Sequence, residues 1–230
     1  KTLAGFHAVK GRLKQKADSV REIYVDAGRM DGRMKELKSL AEKLGVRLMA
    51  VDTKRLDGVA GGARHQGVVA LVKPLVARHS LDDILDEAST SPLVLALDGV
   101  TDPHNLGACL RVADGAGAHA VIAPKDHAVG INATVAKVAS GAAETVPYLM
   151  VTNLARTLNE LKERDIRIVG TSDDAAQTIY DLDLSGPLCL VIGAEGKGLR
   201  QLTRNTCDVL VRIPMQGAVE SLNVSVAAGV

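Results

Sequence analysis

Three short stretches of this chain follow apolar runs and carry side chains that could do chemistry. The first, residues 97–111 (LDGVTDPHNLGACLR), holds Asn105 and Arg111 at the entry of a helical pattern. Leu106, Leu110 and Ala113 make its apolar stripe, and Arg111 lies off that stripe. Helical side chains lean toward the N-terminus, so the Arg111 guanidinium can reach the loop mouth. A guanidinium stays protonated, with a pKa above about 12, so Arg111 cannot act as a simple base. It can grip an anion through paired N–H donors, or stabilise negative charge as it grows on an oxygen. A surface salt bridge for Arg111 and a plain N-cap for Asn105 are the structural alternatives, and capping does not exclude ligand contact.

The second stretch is 191–199 (VIGAEGKGL). Its GxxGxG spacing is neither the GxGxxG dinucleotide fingerprint nor a Walker A loop. Glycines there let peptide groups touch a flat ligand such as adenine. Glu195 could pair with a cation or take a proton. The third stretch is 213–225 (IPMQGAVESLNVS), in which Ser221 or Asn223 opens a final helix as N-cap or as ligand contact. Cys109, Cys189 and Cys207 are scattered, without a CxxC, which fits buried free thiols in a reducing cytosol. The six histidines have no HExxH or other ligand spacing, so no metal is expected.

These loops need a frame. Apolar runs at 93–98, 119–123, 166–170, 188–193 and 209–213 read as strands. Helical patterns near 105–116, 132–140, 152–164 and 198–204, and one from about 223, alternate with them. Such alternation predicts an α/β domain with a parallel sheet covered on both faces, whose ligands bind beyond the carboxyl ends of the strands. Ahead of it, strands at 22–28, 46–51 and 66–72 and helices at 31–44 and 53–57 form a smaller α/β module. Ser80 with Asp82 and Asp83 reads as a further helix start. The expected division is 1–74 for the first domain, 75–91 for a connector and 92–230 for the second.

Charge divides at the same place. Residues 1–74 carry 16 Lys+Arg against 8 Asp+Glu; residues 75–230 carry 12 against 19. A net of +8 facing a net of −7 suggests a basic module for a polyanion, with Lys10 and Arg12 in the acid-free opening run and Arg64 and His65 in the glycine-rich loop 61–67. Aromatic residues are 2% of the chain, which counts against a platform of stacked bases. No apolar run approaches the roughly 18–20 residues that span a bilayer. The chain opens on Lys1 and ends at Val230 in mid-pattern, which predicts truncated termini and a last helix running past Val230.

NLGACLR, VIGAEGKGL and IPMQGAVESLNVSVA resemble motifs 1, 2 and 3 of the SpoU (TrmH) branch of the SPOUT methyltransferases, over 93–230. The segment from Gly5-Phe6-His7 to Gln66-Gly67 resembles the substrate domain of the bacterial members that 2′-O-methylate a guanosine in the peptidyl-transferase loop of 23S rRNA. The resemblance implies a deep trefoil knot at motifs 2 and 3, which periodicity does not predict, and an L30e-like RNA-binding front domain. It implies S-adenosyl-L-methionine (AdoMet) as methyl donor. Gly193, Ile213 and Leu222 would be its backbone contacts, with Gly170, Glu195 and Gly196 close by. It implies an obligate homodimer with the site at the subunit interface, acting in the cytoplasm on 23S rRNA or a ribosomal precursor. Arg111 would hold a substrate phosphate, while Asn105, Ser221 and Asn223 orient the ribose and Glu195 shapes the loop or serves as base. The same family resemblance also admits a tRNA or other rRNA target, or an RNA-binding assembly factor without catalysis.

Overall fold

The computed structural model describes residues 2–73 and 80–230. The chain separates into two compact units, residues 1–77 and 78–230. Of the expected connector, residues 75–79 lie outside the described residues.

The first unit runs β1 (Thr2–Ala4), α1 (Phe6–Lys16), β2 (Val20–Asp26), α2 (Gly32–Lys43), β3 (Leu48–Val51), α3 (Thr53–Ala60) and β4 (Val68–Val72). Its sheet has the order β1-β4-β2-β3; β2 and β3 are parallel, and β4 is antiparallel to both of its neighbours. Val9, Leu13, Met34 and Leu37 bury the helices α1 and α2 against Ile23, Val25, Val68 and Ala70. Leu56 and Ala60 of α3 cluster with Tyr24, Val51 and Val69, which alternate with the α1/α2-facing strand residues. Asp31 and Asp52 cap α2 and α3 by accepting from Met34 N and Arg55 N.

Sequence reading missed β1 and α1. Phe6, Val9 and Leu13 do carry a helical spacing, but the run of cations around them hides it. Arg12 corrects a second expectation. It is 1% exposed, and its Nη1 donates to Ser19 Oγ at 3.1 Å and to the Lys73 carbonyl at 3.4 Å. A guanidinium so buried joins the end of α1 to the end of β4 and cannot reach an RNA phosphate.

The second unit runs α4 (Leu81–Asp86), β5 (Leu93–Asp98), α5 (Pro103–Gly115), β6 (Ala120–Pro124), α6 (Ala133–Val138), α7 (Ala142–Thr145), β7 (Tyr148–Val151), α8 (Leu154–Lys162), β8 (Arg167–Thr171), β9 (Gln177–Thr178), β10 (Leu188–Gly193), α9 (Gln201–Thr206), β11 (Val209–Arg212) and α10 (Val224–Ala227). Ser80 opens α4 with a reciprocal capping box to Asp83. The described strands of this unit form one parallel sheet in the order β7-β6-β5-β10-β8-β11-β9. Leu95, Leu97 and Ile192 pack with Leu106, Leu110 and Val224 on one face. Val94, Ala96 and Val191 pack with Leu154, Leu158 and Leu161 on the other. Both faces are covered, as the near-continuous apolar strands require. The strands missed in sequence, β7 and β9, are short and only partly buried, so neither has a long apolar run to announce it.

The strand order holds the functional logic. From β5 the chain moves outward to β6 and β7; β8, β9 and β11 lie on the far side of β10. The sheet therefore has a switch point between β5 and β10, whose carboxyl ends lie in register, Asp98 beside Gly193. Crevices at such points are where open parallel sheets bind ligands.

Candidate active site

A cavity of about 320 Å³ opens at the carboxyl ends of β8, β10 and β11. Loop 193–199 forms one wall, Thr171, Ser172 and Asp173 a second, and Ile213, Met215, Glu220, Ser221 and Leu222 a third. Two of the three stretches singled out in sequence thus meet around one hollow. Its size lies at the low end for small-ligand pockets.

Loop 193–199 folds back on itself. Ala194 N donates to Gly198 O at 3.2 Å, and Gly198 N donates to Ala194 O at 2.9 Å. The turn is so tight that a Cβ on Gly193 would lie 2.1 Å from the Gly198 carbonyl carbon and 2.5 Å from Leu199 N. Glycine at 193 is therefore a requirement of the loop itself. Gly196, with φ 74, occupies the left-handed region at the exposed tip beside Glu195. Among the described residues Glu195 has no hydrogen-bond or ion-pair partner, and it borders the cavity.

The far end of this loop is pinned by a buried carboxylate that sequence reading recorded only as a strand end. Asp98 is 1% exposed. Its Oδ2 accepts from Arg200 N at 2.9 Å, and its Oδ1 accepts from Arg200 Nε and lies 2.6 Å from Nη2. The pair joins the end of β5 to the exit of the loop. Nothing in sequence linked residues 102 positions apart; only the strand register brings them together. Asp98→Ala should lower stability by roughly 2 kcal/mol, the cost of charge-assisted hydrogen bonds lost beside a half-exposed guanidinium. It should also loosen the cavity wall. Urea unfolding would read the first effect and donor binding the second.

Arg204 stiffens the second wall. Its Nη1 donates to Ser172 Oγ at 2.6 Å and its Nη2 to both Asp174 oxygens at 2.9 and 3.0 Å. The Asp174 carboxyl is held below its usual range, first by the Ser172 hydroxyl and then by Arg204. Gly170 lies behind this wall, outside the cavity lining. A Cβ there would fall 2.6 Å from Cys207 Sγ, so close packing accounts for that glycine.

The first stretch joins the third. Asn223 Nδ2 donates to Asn105 Oδ1 at 3.0 Å, and Asn223 Oδ1 accepts from Ser225 N at 2.9 Å and Ser225 Oγ at 2.6 Å. Asn223 is the N-cap of α10, as one reading of the sequence allowed. Asn105 is not a cap. The α5 cap is Asp102, which accepts from His104 N and Asn105 N, with Pro103 in the first turn. The sequence signal was present, since Asp before Pro is a strong helix start; Asn105 simply lies three residues inside it. Its amide is thereby free to bond Asn223.

Arg111 stands apart. It is exposed on α5, outside the cavity lining, and its side chain has no hydrogen bond or ion pair among the described residues. The salt-bridge alternative is therefore not what the structure contains. In the first unit Arg64 is exposed, Lys10 pairs with Glu36, and His65 is bonded to Asp57 of α3 and to Gly67 N of its own loop.

Burial pushes the Cys109 thiol up to about 12 and the Cys207 thiol up to about 11, and raises Cys189 as well. None of the three is poised as a thiolate nucleophile near neutral pH. Among the described residues no group of His, Cys, Asp or Glu could hold a metal ion, and no helix is long and apolar enough to cross a membrane.

Two family models match the sequence. The SpoU rRNA Methylase family model matches residues 92–230, and the model for RNA 2′-O ribose methyltransferase substrate binding matches residues 2–78. The chain belongs to the SpoU rRNA methylase family. It is 63% identical, over all of its own length and 92% of the relative's, to a Ralstonia nicotianae protein named 23S rRNA (guanosine-2′-O-)-methyltransferase RlmB. It is 59% identical to the protein of that name from Bordetella pertussis, over 99% of this chain and 93% of the relative. Among solved structures it resembles the SpoU methyltransferase AviRb from Streptomyces viridochromogenes in complex with AdoMet. There the TM-score is 0.73 and the identity 25%, covering 99% of this chain and 86% of that one.

Proposed function

We propose that this chain transfers the methyl group of AdoMet to the ribose 2′-hydroxyl of a guanosine in 23S rRNA, in the region of the peptidyl-transferase loop. The observation that carries this reading is the convergence of loops 193–199 and 213–222 on one cavity, with Asn223 of the adjoining helix bonded to Asn105. The names of the relatives at 59 to 63% identity support the RNA and the nucleotide.

The cavity suits the donor. Ile192, Ile213, Leu199 and Leu222 offer apolar contact for an adenine, and exposed peptide groups of the loop offer hydrogen bonds. Asp173, Glu195 and Glu220 bring carboxylates to a ligand that carries positive charge. Bound there, AdoMet supplies a methyl already activated by its positive sulfur.

The protein's task is then the nucleophile, because a neutral sugar hydroxyl is weak. Arg111 holds a phosphate of the substrate by its two-pronged guanidinium and stabilises the charge that grows on the 2′-oxygen. Asn105 and Asn223, fixed by their mutual bond, orient the ribose with Ser221. The proton of the 2′-hydroxyl passes to the substrate phosphate that Arg111 holds, with Glu195 shaping the loop, or to the Glu195 carboxylate itself. Arg111 lies outside the cavity of its own chain, which supports the reading that two copies pair and share the site. Exposed Val219, Val226 and Val230, in and beyond the third stretch, offer apolar surface for such pairing. The path from β11 back to α5 through loop 213–223 is consistent with the trefoil knot of the family. Residues 1–74 act as the L30e-like RNA domain, joined by residues 75–91 to the methyltransferase domain, 92–230. With a ribosomal RNA substrate the enzyme acts in the cytoplasm.

The reading is tested by incubating the purified protein with methyl-labelled AdoMet and either unmodified 23S rRNA or bulk tRNA. Label should enter 23S rRNA and leave tRNA near background. Label in tRNA alone would move the target, and label in neither, with AdoMet still bound, would favour an RNA-binding assembly factor.

A further inference from the structure

The glycine-rich loop 61–67 of the first unit is expected to meet RNA, with Arg64 and His65 both as contacts. The hydrogen bonds separate their roles. His65 Nδ1 accepts from Gly67 N at 3.0 Å, and His65 Nε2 lies 2.8 Å from Asp57 Oδ1 on α3. A backbone N–H can only donate, so Nδ1 carries the lone pair and the ring proton sits on Nε2, donated to Asp57. Both polar edges of the imidazole are used, and the side chain is only 14% exposed. His65 has no nitrogen left for a ligand.

The loop is gripped from its other side as well. Arg29 donates from Nη1 to the Gln66 carbonyl and from Nε to Asp31 at 2.6 Å, and its guanidinium lies 4.6 Å from the centre of the Phe6 ring. Gln66 is held at φ 50, an unusual conformation for that residue. Val68 N donates to His65 O at 2.9 Å, and Ala63 N to Ala60 O at 3.2 Å. Between these fixed points Arg64 projects into solvent, with no hydrogen bond or ion pair among the described residues.

We infer that the Asp57–His65 pair is a positioning device: it holds loop 61–67 in the shape that presents Arg64 to an RNA phosphate, and His65 does not itself touch the RNA. This rests on the reading of the first unit as an RNA-binding domain. A loop already shaped for its ligand loses less freedom on binding. The expected sign of the effect at Asp57 is unusual. Asp57 is an exposed carboxylate beside a site for a polyanion, so on charge alone its removal should tighten RNA binding. If it positions the loop, its removal weakens binding instead.

The full-length protein is titrated with a transcript of the 23S rRNA peptidyl-transferase region at several salt concentrations. Asp57→Ala and His65→Ala are each expected to lose about five- to tenfold in affinity, with an unchanged salt slope. The double variant should lose no more than either single one. Asp57→Asn keeps an acceptor for Nε2–H without the charge and should bind as well as the parent or better. His65→Asn can still accept from Gly67 N two residues on and should recover part of the loss. Thermal unfolding followed by circular dichroism, with the first unit's transition retained in all five, reports that each variant is folded where it is changed. Arg64→Ala should lose affinity and lower the salt slope by about one contact. Equal or tighter binding by Asp57→Ala, while Arg64→Ala is impaired, would overturn the positioning role alone. Undiminished binding by Arg64→Ala would overturn the inference together with the placing of this loop at the RNA.

Discussion

Arg111→Ala is expected to lower methyl transfer by at least about 10²–10³-fold, the usual cost of removing a donor aimed at developing negative charge. Affinity for AdoMet should stay within about twofold, because Arg111 lies outside the cavity lining. Stability should change by less than about 0.5 kcal/mol, since the side chain is exposed and unpaired. Arg111→Lys keeps the charge but loses the planar fork, and should recover only part of the rate. Single-turnover kinetics with saturating donor would read the effect, with calorimetry run in parallel. Near-parental turnover by Arg111→Ala would remove Arg111 from the mechanism and leave Glu195 as the group to test. The combination of a large loss in rate with no loss of donor binding or stability is the signature of a group that acts only on the substrate.

Gly193→Ala is expected to do the opposite: to remove donor binding, and activity with it. The added methyl would sit 2.1 Å from a carbonyl carbon of the same loop. Backbone cannot yield as a flexible side chain can, so the Ala194–Gly198 bridge must open and the wall of the cavity must move. The cost in stability should be about 1–3 kcal/mol, as for other overpacked sites. AdoMet calorimetry should show no measurable heat, while RNA affinity, assigned to the first unit, persists. Parental donor affinity in Gly193→Ala would mean that the closed form of loop 193–199 is not the form that binds.

How much of this was legible in the chain depends on the range of the interaction concerned. The parallel sheet was readable because fully buried strands are written as unbroken apolar runs; LCLVIG at 188–193 matches β10 residue for residue. Loop 193–199 announced itself through its glycines. Short edge elements were lost, as was α1, where the buried face is interrupted by cations and one of those cations is itself buried. Local chemistry misleads at two points. Arg12 stands in a basic run and so reads as an RNA contact, but its bond to the distant Lys73 carbonyl gives it a buried role. Asn105 stands at a helix start and so admits the reading of a cap, but Asp102 takes that place, and the Asn105 amide oxygen accepts from Asn223, 118 positions on. The Asp98–Arg200 pin belongs with them: no local pattern joins a strand end to a residue 102 positions later, yet it fixes the exit of the loop that walls the cavity.

The bond at issue joins a methyl carbon to a ribose 2′-oxygen. The measurement that bears on it most directly is a nucleotide-resolution map of ribose methylation in unmodified 23S rRNA, before and after treatment with this protein and AdoMet. The prediction is one new 2′-O-methyl group, on a guanosine of the peptidyl-transferase loop region, absent when Arg111→Ala replaces the parent. A methyl group on a base nitrogen or carbon, or no new ribose methylation in rRNA, would contradict it.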